Sequence, residues 1–373
     1  MDQLILLRSR SIRLIYKNFL RPILFSIEPE AVHDFFINAG IILGSNLITK
    51  SLLNCFFSYS NKKLKQKILG IKFDNPIGLA AGFDKDGKLT EILPSIGFGF
   101  VEVGSITGQP SQGNLKPRLW RLLKSRSLAV NYGLKNEGAD KIYGRLKGKK
   151  FKIPVGTSIA KTNEIKTSVL AAAVKDYVLS FKKLADIGDY FAVNISCPNV
   201  AGDKFFVNPD RLSLLLSELR KISTNKPIFL KISPDLSQGQ IDDIIYLAKK
   251  YKVQGFICSN VTKNRNLKTI LDKNLPEKGG LSGKVVESLS NDLIKYVYQK
   301  TKGKFVIIGC GGVFSAEDAY KKIKLGASLI QLFTGLIFEG PQLVSEINQG
   351  LVALLKKDGF RNISQAVGKE NKG

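Results

Sequence analysis

The chain is poor in the residues that carry metal and triad chemistry. It has one histidine, His33, and four cysteines, at 55, 197, 258 and 310, with no C-x-x-C pair among them. That excludes a Cys/His zinc site, a His-bearing catalytic triad and a disulfide scaffold, and it points to a reducing compartment. The usual nucleotide loops, G-x-x-x-x-G-K-[ST] and G-x-G-x-x-G, are also missing. No stretch reaches the roughly 18 charge-free apolar residues of a membrane span; 35–49 is uncharged but broken by Asn38, Gly40, Gly44, Ser45 and Asn46. Acidic residues are scarce beside basic ones, 31 against 57, which gives a formal charge of +26. The basic residues are spread along the chain, in short clusters such as Lys62 to Lys67 and Arg145 to Lys150, without interleaved aromatics. A nucleic-acid-binding protein, the non-enzyme alternative, is therefore disfavoured, and the charge reads as a solvated surface.

What is present is an ordinary globular composition: 373 residues, 44% hydrophobic, enough for one large core. The front end is amphipathic. Ile12, Ile15, Tyr16, Phe19 and Ile23 recur at helical spacing, with Arg10, Arg13, Lys17 and Arg21 on the other side. Interleaved apolar and basic residues, with no small-residue cleavage site after them, argue against a cleaved signal. The segment 1–64 reads as a helical extension lying on something, either its own domain or a bilayer surface, and amphipathicity alone does not separate the two.

From about Lys65, eight β-rich runs alternate with helical stretches: 77–81, 98–103, 153–158, 190–196, 227–232, 253–259, 304–309 and 327–333. This pattern predicts an α/β chain, a (β/α)8 TIM barrel over 65–360, followed by a polar tail over 361–373. The chemically interesting residues sit at or just past the run ends: Gly82 to Lys85, Gly104-Ser105, Cys197 to Asn199, Lys231, Ser259-Asn260, Gly311-Gly312 and Phe333 to Gly335. Active sites of such barrels lie at the carboxyl ends of the strands, so one face is marked as the working face. Gly279 to Gly283, Gly309 to Gly312 and Thr334-Gly335 bring small residues and backbone N–H groups to the last strands, where barrels commonly hold phosphate; a phosphorylated cofactor is expected there.

Read in order, Ile77 to Gly87, Phe98 to Ser105, Gly113 to Arg121, Asn194 to Asn199, Lys231 to Asp235, Gly279 to Gly283 and Gly326 to Gly335 resemble the dihydroorotate dehydrogenase family. The amphipathic extension, Pro29 to His33 and Lys116 to Arg121 resemble its membrane-associated, quinone-reducing class 2. The resemblance implies oxidation of (S)-dihydroorotate to orotate in pyrimidine biosynthesis, with FMN as hydride acceptor and a quinone as final acceptor. It implies Cys197 as the base for the C5 proton, and Lys85, Asn131, Asn194, Asn199 and Asn260 around the substrate. Neutral amides suit an imide-containing ring because they offer both donors and acceptors. For the cofactor it implies Ala81, Gly82, Lys85, Ser105, Asn131, Ser158, Asn194, Lys231, Ser259, Ser282, Gly283, Gly311, Gly312, Phe333 and Thr334. It places His33 and Arg121 at a quinone entrance and no metal in the site. A monomer resting peripherally on the cytoplasmic side of the cell membrane, through its N-terminal helices on anionic lipid, is expected.

The chain departs from the class 2 pattern at several positions. Cys197 stands where that class has serine, Val261 where it has threonine, Ser158 where an asparagine is common and Phe333 where tyrosine is usual, and 201–208 lacks the usual Gly-Leu-Arg run. Cysteine is the base of the soluble classes, so a soluble-type enzyme using fumarate or NAD and carrying an extension is the alternative.

Overall fold

The computed structural model describes residues 2–197, 199 and 205–371. Pro198 and residues 201–204 of the loop singled out above lie outside them. The strands are β1 (Gln66–Ile68), β2 (Ile71–Phe73), β3 (Ile77–Leu79), β4 (Phe100–Ile106), β5 (Leu119–Leu122), β6 (Ser127–Val130), β7 (Val155–Ile159), β8 (Tyr190–Asn194), β9 (Ile228–Ile232), β10 (Gly255–Cys258), β11 (Gly280–Gly283), β12 (Val306–Cys310) and β13 (Leu329–Leu332). Eight of them, β3, β4, β7, β8, β9, β10, β12 and β13, close a parallel barrel in that order. Each corresponds to one of the eight runs read from the sequence. The chain is a (β/α)8 barrel preceded by helices.

Alternation along the strands fills the barrel interior. Its lower part is apolar: Phe100, Tyr190, Phe229, Ile257, Ile308 and Leu329 form one buried cluster. Phe73, from the antiparallel hairpin of β1 and β2, joins the cluster, its ring edge-on to Phe100 at 5.5 Å. Two strand glycines make room for the large rings. A Cβ on Gly78 would lie 2.4 Å from the Phe100 ring, and one on Gly156 would lie 2.1 Å from the Tyr190 ring. At the other end, β5, β6 and β11 form a small antiparallel sheet beside the mouth. The stretch read as a polar tail is docked, with Ile363 and Ala366 fully buried and Glu370 paired to Lys321 and Lys324 at 2.7 and 2.8 Å.

The extension begins with α1 (Asp2–Ile15), passes through a wide π turn over Tyr16–Leu20 into α2 (Arg21–Ser26), and continues as α3 (Pro29–Ser45) and α4 (Leu47–Phe57). The wide turn precedes Pro22, whose ring and missing N–H are incompatible with the interior of a regular helix. The orientation of this element corrects the expectation of a basic face turned to anionic lipid. Arg13 pairs with Glu346 at 2.8 Å and Lys17 with Glu339 at 2.5 Å, while Arg8 reaches Ser345 and Arg21 donates to the Phe338 carbonyl. Only Arg10 of the basic set is exposed. The apolar stripe is what faces outward: Leu14, Ile15, Phe19 (68% exposed) and Ile23, continued by Phe35 and Ile42 on α3 and by Leu47 and Ile48 (77%) on α4. Tyr16 alone of that stripe is buried, its hydroxyl donating to the Ile337 carbonyl at 2.6 Å. Acidic side chains on the barrel and the helix's own cations select the inward face. Among the described residues no single helix is long and apolar enough to cross a membrane, and α3 and α4 meet at 112°.

The extension is locked to the barrel by one buried ion pair. Glu30, at the start of α3 and 1% exposed, accepts from Arg118 Nη2 at 2.6 Å and from its Nε at 3.0 and 3.2 Å. Burial opposes ionisation, but the Arg118 hydrogen bonds, with Lys135 and Lys116 nearby, hold the carboxyl at about 2. Its contribution to stability is therefore complete above the ordinary 4.5 and is lost as the pH falls from there to about 2. Glu30→Ala leaves a guanidinium buried without its partner and is expected to cost on the order of 3–5 kcal/mol. The loss should appear as a lowered denaturation midpoint and faster proteolysis between α2 and α3; an unchanged midpoint would show that the extension docks without this pair.

Candidate active site

Seven of the barrel strands deliver their carboxyl ends to one cavity. It is lined by Ala81, Gly82 and Lys85 after β3, by Gly104 and Ser105 in β4, by Asn194, Cys197 and Asn199 in and after β8, and by Lys231 in β9. Ser259, Asn260 and Val261 follow β10, and Ser282 and Gly283 come from β11 of the small sheet. Gly311 and Gly312 after β12 and Phe333, Thr334 and Gly335 after β13 complete the ring. The ladder between β4 and β7 shifts register between Val103 and Ile106, which brings Gly104 and Ser105 out of line and into the wall.

A web of neutral hydrogen bonds fixes the polar floor. Ser158 Oγ and Ser105 Oγ lie 2.8 Å apart, Asn194 Nδ2 donates to Ser105 Oγ at 3.0 Å, and Asn260 Nδ2 donates to both Asn194 Oδ1 and Ser196 Oγ at 3.1 Å. Ser196 Oγ donates to the Lys231 carbonyl at 2.8 Å. Each side chain is thus held by a neighbour on another strand, which preorganises the donors and acceptors. Asn199 Nδ2 donates to the Val130 carbonyl at 2.8 Å, and its Oδ1 is buried with no partner.

Lys85 is set by the turn before it. The Asp84 carboxylate accepts from the backbone N–H groups of Lys88 and Leu89, both at 2.8 Å, and the Gly82 N–H donates to the Gly104 carbonyl at 2.7 Å. The Lys85 ammonium lies 3.4 Å from the centroid of the Tyr132 ring. Burial, reinforced by Lys135, brings its pKa down to about 7, so the amine exchanges its proton near neutrality. Lys85 and Lys135 also line a second, more polar cavity with His33, Asp34, Lys88 and Glu137, and so stand as a wall between the two.

Four of the residues singled out from the sequence lie off the first cavity. Ser158 is fully buried behind Ser105, and Asn131, half-buried between the lining residues Val130 and Tyr132, offers its Oδ1 to Asn114 Nδ2 at 3.0 Å. His33 Nε2 donates to the Phe83 carbonyl at 2.9 Å, and burial beside Lys85 takes its pKa down to about 4, so the ring is neutral. Arg121 donates to the carbonyls of Phe25 and Ile27 at 3.2 and 2.7 Å and thereby clamps the end of α2. The two are linked through an apolar cluster of Phe25, Leu119, Tyr132, Phe333 and Phe338, which His33 meets at Tyr132 and Arg121 at Phe25. Sequence reasoning missed Tyr132, Leu134 and Lys135 in the cavity wall. All three follow β6, a strand that the sequence reading did not anticipate.

A model of the dihydroorotate dehydrogenase family matches residues 63–355. The chain belongs to this family. It is similar to the dihydroorotate dehydrogenase (quinone) of Trichodesmium erythraeum, 40% identical over 96% of this chain and 99% of that one, and to that of a Nostoc species, 41% identical with the same coverage. Among solved structures it is similar to the dihydroorotate dehydrogenase of Eimeria tenella in complex with ferulenol, with a TM-score of 0.84 and 26% identity over 94% of this chain and 99% of that one. The ligand-free form of that enzyme gives 0.79 and 28% over 92% and 100%.

In this dihydroorotate dehydrogenase, Cys197 is the only cysteine on the stretch after β8. Burial raises its thiol above the ordinary 9.0, and the Asn199 backbone N–H, Lys161 and Lys231 pull the other way without overcoming it. The thiolate fraction at neutral pH is therefore smaller than a free cysteine's. Iodoacetamide should modify exposed Cys55 readily and Cys197 with an inflection above pH 9, followed by peptide mapping. An inflection well below 9 would mean that the surrounding cations outweigh burial.

Proposed function

We propose that the chain oxidises (S)-dihydroorotate to orotate, with FMN in the first cavity and a quinone as final acceptor. Net, the substrate loses a proton from C5 and a hydride from C6, and the quinone gains two electrons and two protons. The observation that carries this reading is the arrangement of the cavity. A thiol, three amides and three lysines line one cavity together with a run of glycines and hydroxyls.

The residues fit a flavin mononucleotide. A Cβ on Gly82, whose φ is +107°, would meet no protein atom within 4 Å, which marks a cradle open to the cavity. Ser282 Oγ and Thr334 Oγ1, 2.9 Å apart, and the backbone at Gly311 and Gly312 suit the phosphate, while Lys231 suits the polar edge of the ring. A bound FMN supplies the acceptor for the hydride and passes the electron pair onward. Cys197, as thiolate, takes the C5 proton, and Asn194, Asn199 and Asn260 hold the ring, the unpartnered Asn199 Oδ1 being free to accept from a ring N–H. Lys85, increasingly protonated as the pH falls below about 7, holds the substrate carboxylate. Asn131 and Ser158 do not line the cavity.

For the quinone, the apolar cluster between Phe25 and Phe333 gives a path from the extension to the flavin, with His33 and Arg121 at its borders. We assign the outward faces of α1 to α4 to the lipid interface of the cell membrane's cytoplasmic side. Apolar insertion then supplies the attachment, since Arg8, Arg13, Lys17 and Arg21 are engaged with the barrel.

The deciding experiment is anaerobic reduction of bound flavin by dihydroorotate, followed by steady-state turnover with quinone, fumarate or NAD as sole acceptor. Turnover with fumarate or NAD but not quinone would overturn the acceptor; a folded protein that neither contains nor takes up FMN would overturn the whole reading. Cys197→Ala should slow flavin reduction by about 10²-fold or more with FMN still bound. Cys197→Ser should displace the pH profile to the alkaline side, because a hydroxyl ionises less readily than even a buried thiol. Flavin reduction by Cys197→Ala at the parent rate would remove Cys197 from its role.

A double substitution Phe19→Asp, Ile23→Asp, at outward positions that do not touch the core, should leave dihydroorotate-dependent flavin reduction intact. The full chain should float with zwitterionic vesicles and the variant should not. Equal flotation would mean that this face does not meet lipid.

A further inference from the structure

Inside the barrel, one layer below the cavity, lies a carboxylate that the reaction as described does not use. Glu102, on β4, is fully buried. Its Oε2 accepts from Gln331 Nε2 on β13 at 2.8 Å and from the Tyr190 hydroxyl on β8 at 3.3 Å. Its Oε1 has no hydrogen-bond partner and stands 3.8 Å from Lys231 Nζ on β9. Lys231 lines the cavity directly above. Among the described residues neither group has another ion-pair partner.

This is an unusual way to place a lysine at a ligand. A cation at the floor of an enclosed site acts on the ligand with its full charge only if nothing behind it cancels that charge, and in a low-dielectric interior a carboxylate 3.8 Å away cancels much of it. Two neutral donors on Oε2 keep the carboxylate in place without neutralising it, and they leave Oε1 on the lysine's side. Packing does not require this arrangement: Phe100 and Phe229, two residues earlier on the same strands, fill the layer beneath with rings.

We propose that Glu102 is the counter-ion of Lys231 and sets the reduction potential of the flavin bound above it. Resting on the flavin reading given above, it adds a residue to the electron-transfer step. A reduced flavin held in this cavity would carry negative charge, and Lys231 would be a residue to stabilise it. An unopposed lysine stabilises that charge and traps the electron pair; with Glu102 behind it the stabilisation is partial, and the pair moves on to the quinone. Glu102 touches neither substrate nor cofactor and acts through Lys231.

The test is an anaerobic redox titration of the flavin-loaded protein against a reference dye. Glu102→Gln keeps the shape and removes the charge, and it should shift the equilibrium toward the reduced form by tenfold or more, about 30 mV for a two-electron couple. The double substitution Glu102→Leu, Gln331→Leu removes the charge in an apolar form and should shift it the same way. Glu102→Asp retains the charge and should stay within threefold of the parent. Neutral variants within threefold of the parent would overturn the proposal. So would Glu102→Asp moving as far as they do, or both neutral variants failing to fold while Glu102→Asp folds, which would make the carboxylate a structural prop. A parent protein without flavin would instead remove the functional reading on which this one stands.

Discussion

The buried pair of Glu30 and Arg118 is the interaction from which the mouth of the site is organised. It joins the first turn of α3 to the segment before β5, and Arg118 spends its remaining donors on the carbonyls of Gln112 and Asn114, at 2.9 and 2.8 Å. Asn114 in turn donates to Asn131 and to the Asn199 carbonyl. One charge on the extension thus steadies, through two loops, the Asn199 segment in the cavity wall. Arg118 also lies 5.3 Å from the Tyr132 ring, on which Lys85 rests. Removing the extension's carboxylate would therefore be felt by both the Asn199 segment and the amine.

The barrel supplies the other half of the construction. Strand alternation sends rings to the bottom, the Glu102 layer to the middle, and Ser105, Asn194 and Lys231 to the top, so the chemistry is a continuation of the core. Because each polar side chain near the top is bonded to one on a neighbouring strand, the site inherits the rigidity of the closed sheet.

Much of this was legible in the sequence because apolar runs bounded by glycine and asparagine mark parallel strands well, and every barrel strand came from such a run. Part of the site was legible for the same reason, since Gly82 to Lys85, Cys197, Asn260, Gly311 and Gly312 follow run ends, whereas Asn131, His33 and Arg121 rested on the family resemblance. The small sheet was not. Gly280 to Gly283 carries the signature of a turn, and β5 holds Trp120 and Arg121 rather than a β-branched core, so only the pairing of three short segments makes them strands. With β6 unrecognised, Tyr132 and Lys135 could not be placed in the wall. Ser158 and Asn131 do not line the cavity themselves, since sequence position marks a strand end but not the depth at which a side chain stops. The facing of α1 was undetermined in principle: a stripe pattern is the same whichever side is turned inward, and only Glu339 and Glu346, more than three hundred residues away, decide it.

That reversed helix changes how the protein should respond to salt. Ions screen the partly exposed contacts between α1 and the barrel, such as Arg13 with Glu346, while strongly hydrated salts sharpen the aversion of the outer apolar stripe to water. On the lipid interface proposed above, a high-salt wash, the ordinary means of lifting a charge-held protein from a bilayer, would loosen the helix from its own barrel and leave its outer face more firmly in the lipid, and detergent, which offers the stripe another apolar phase, would be the agent to release it.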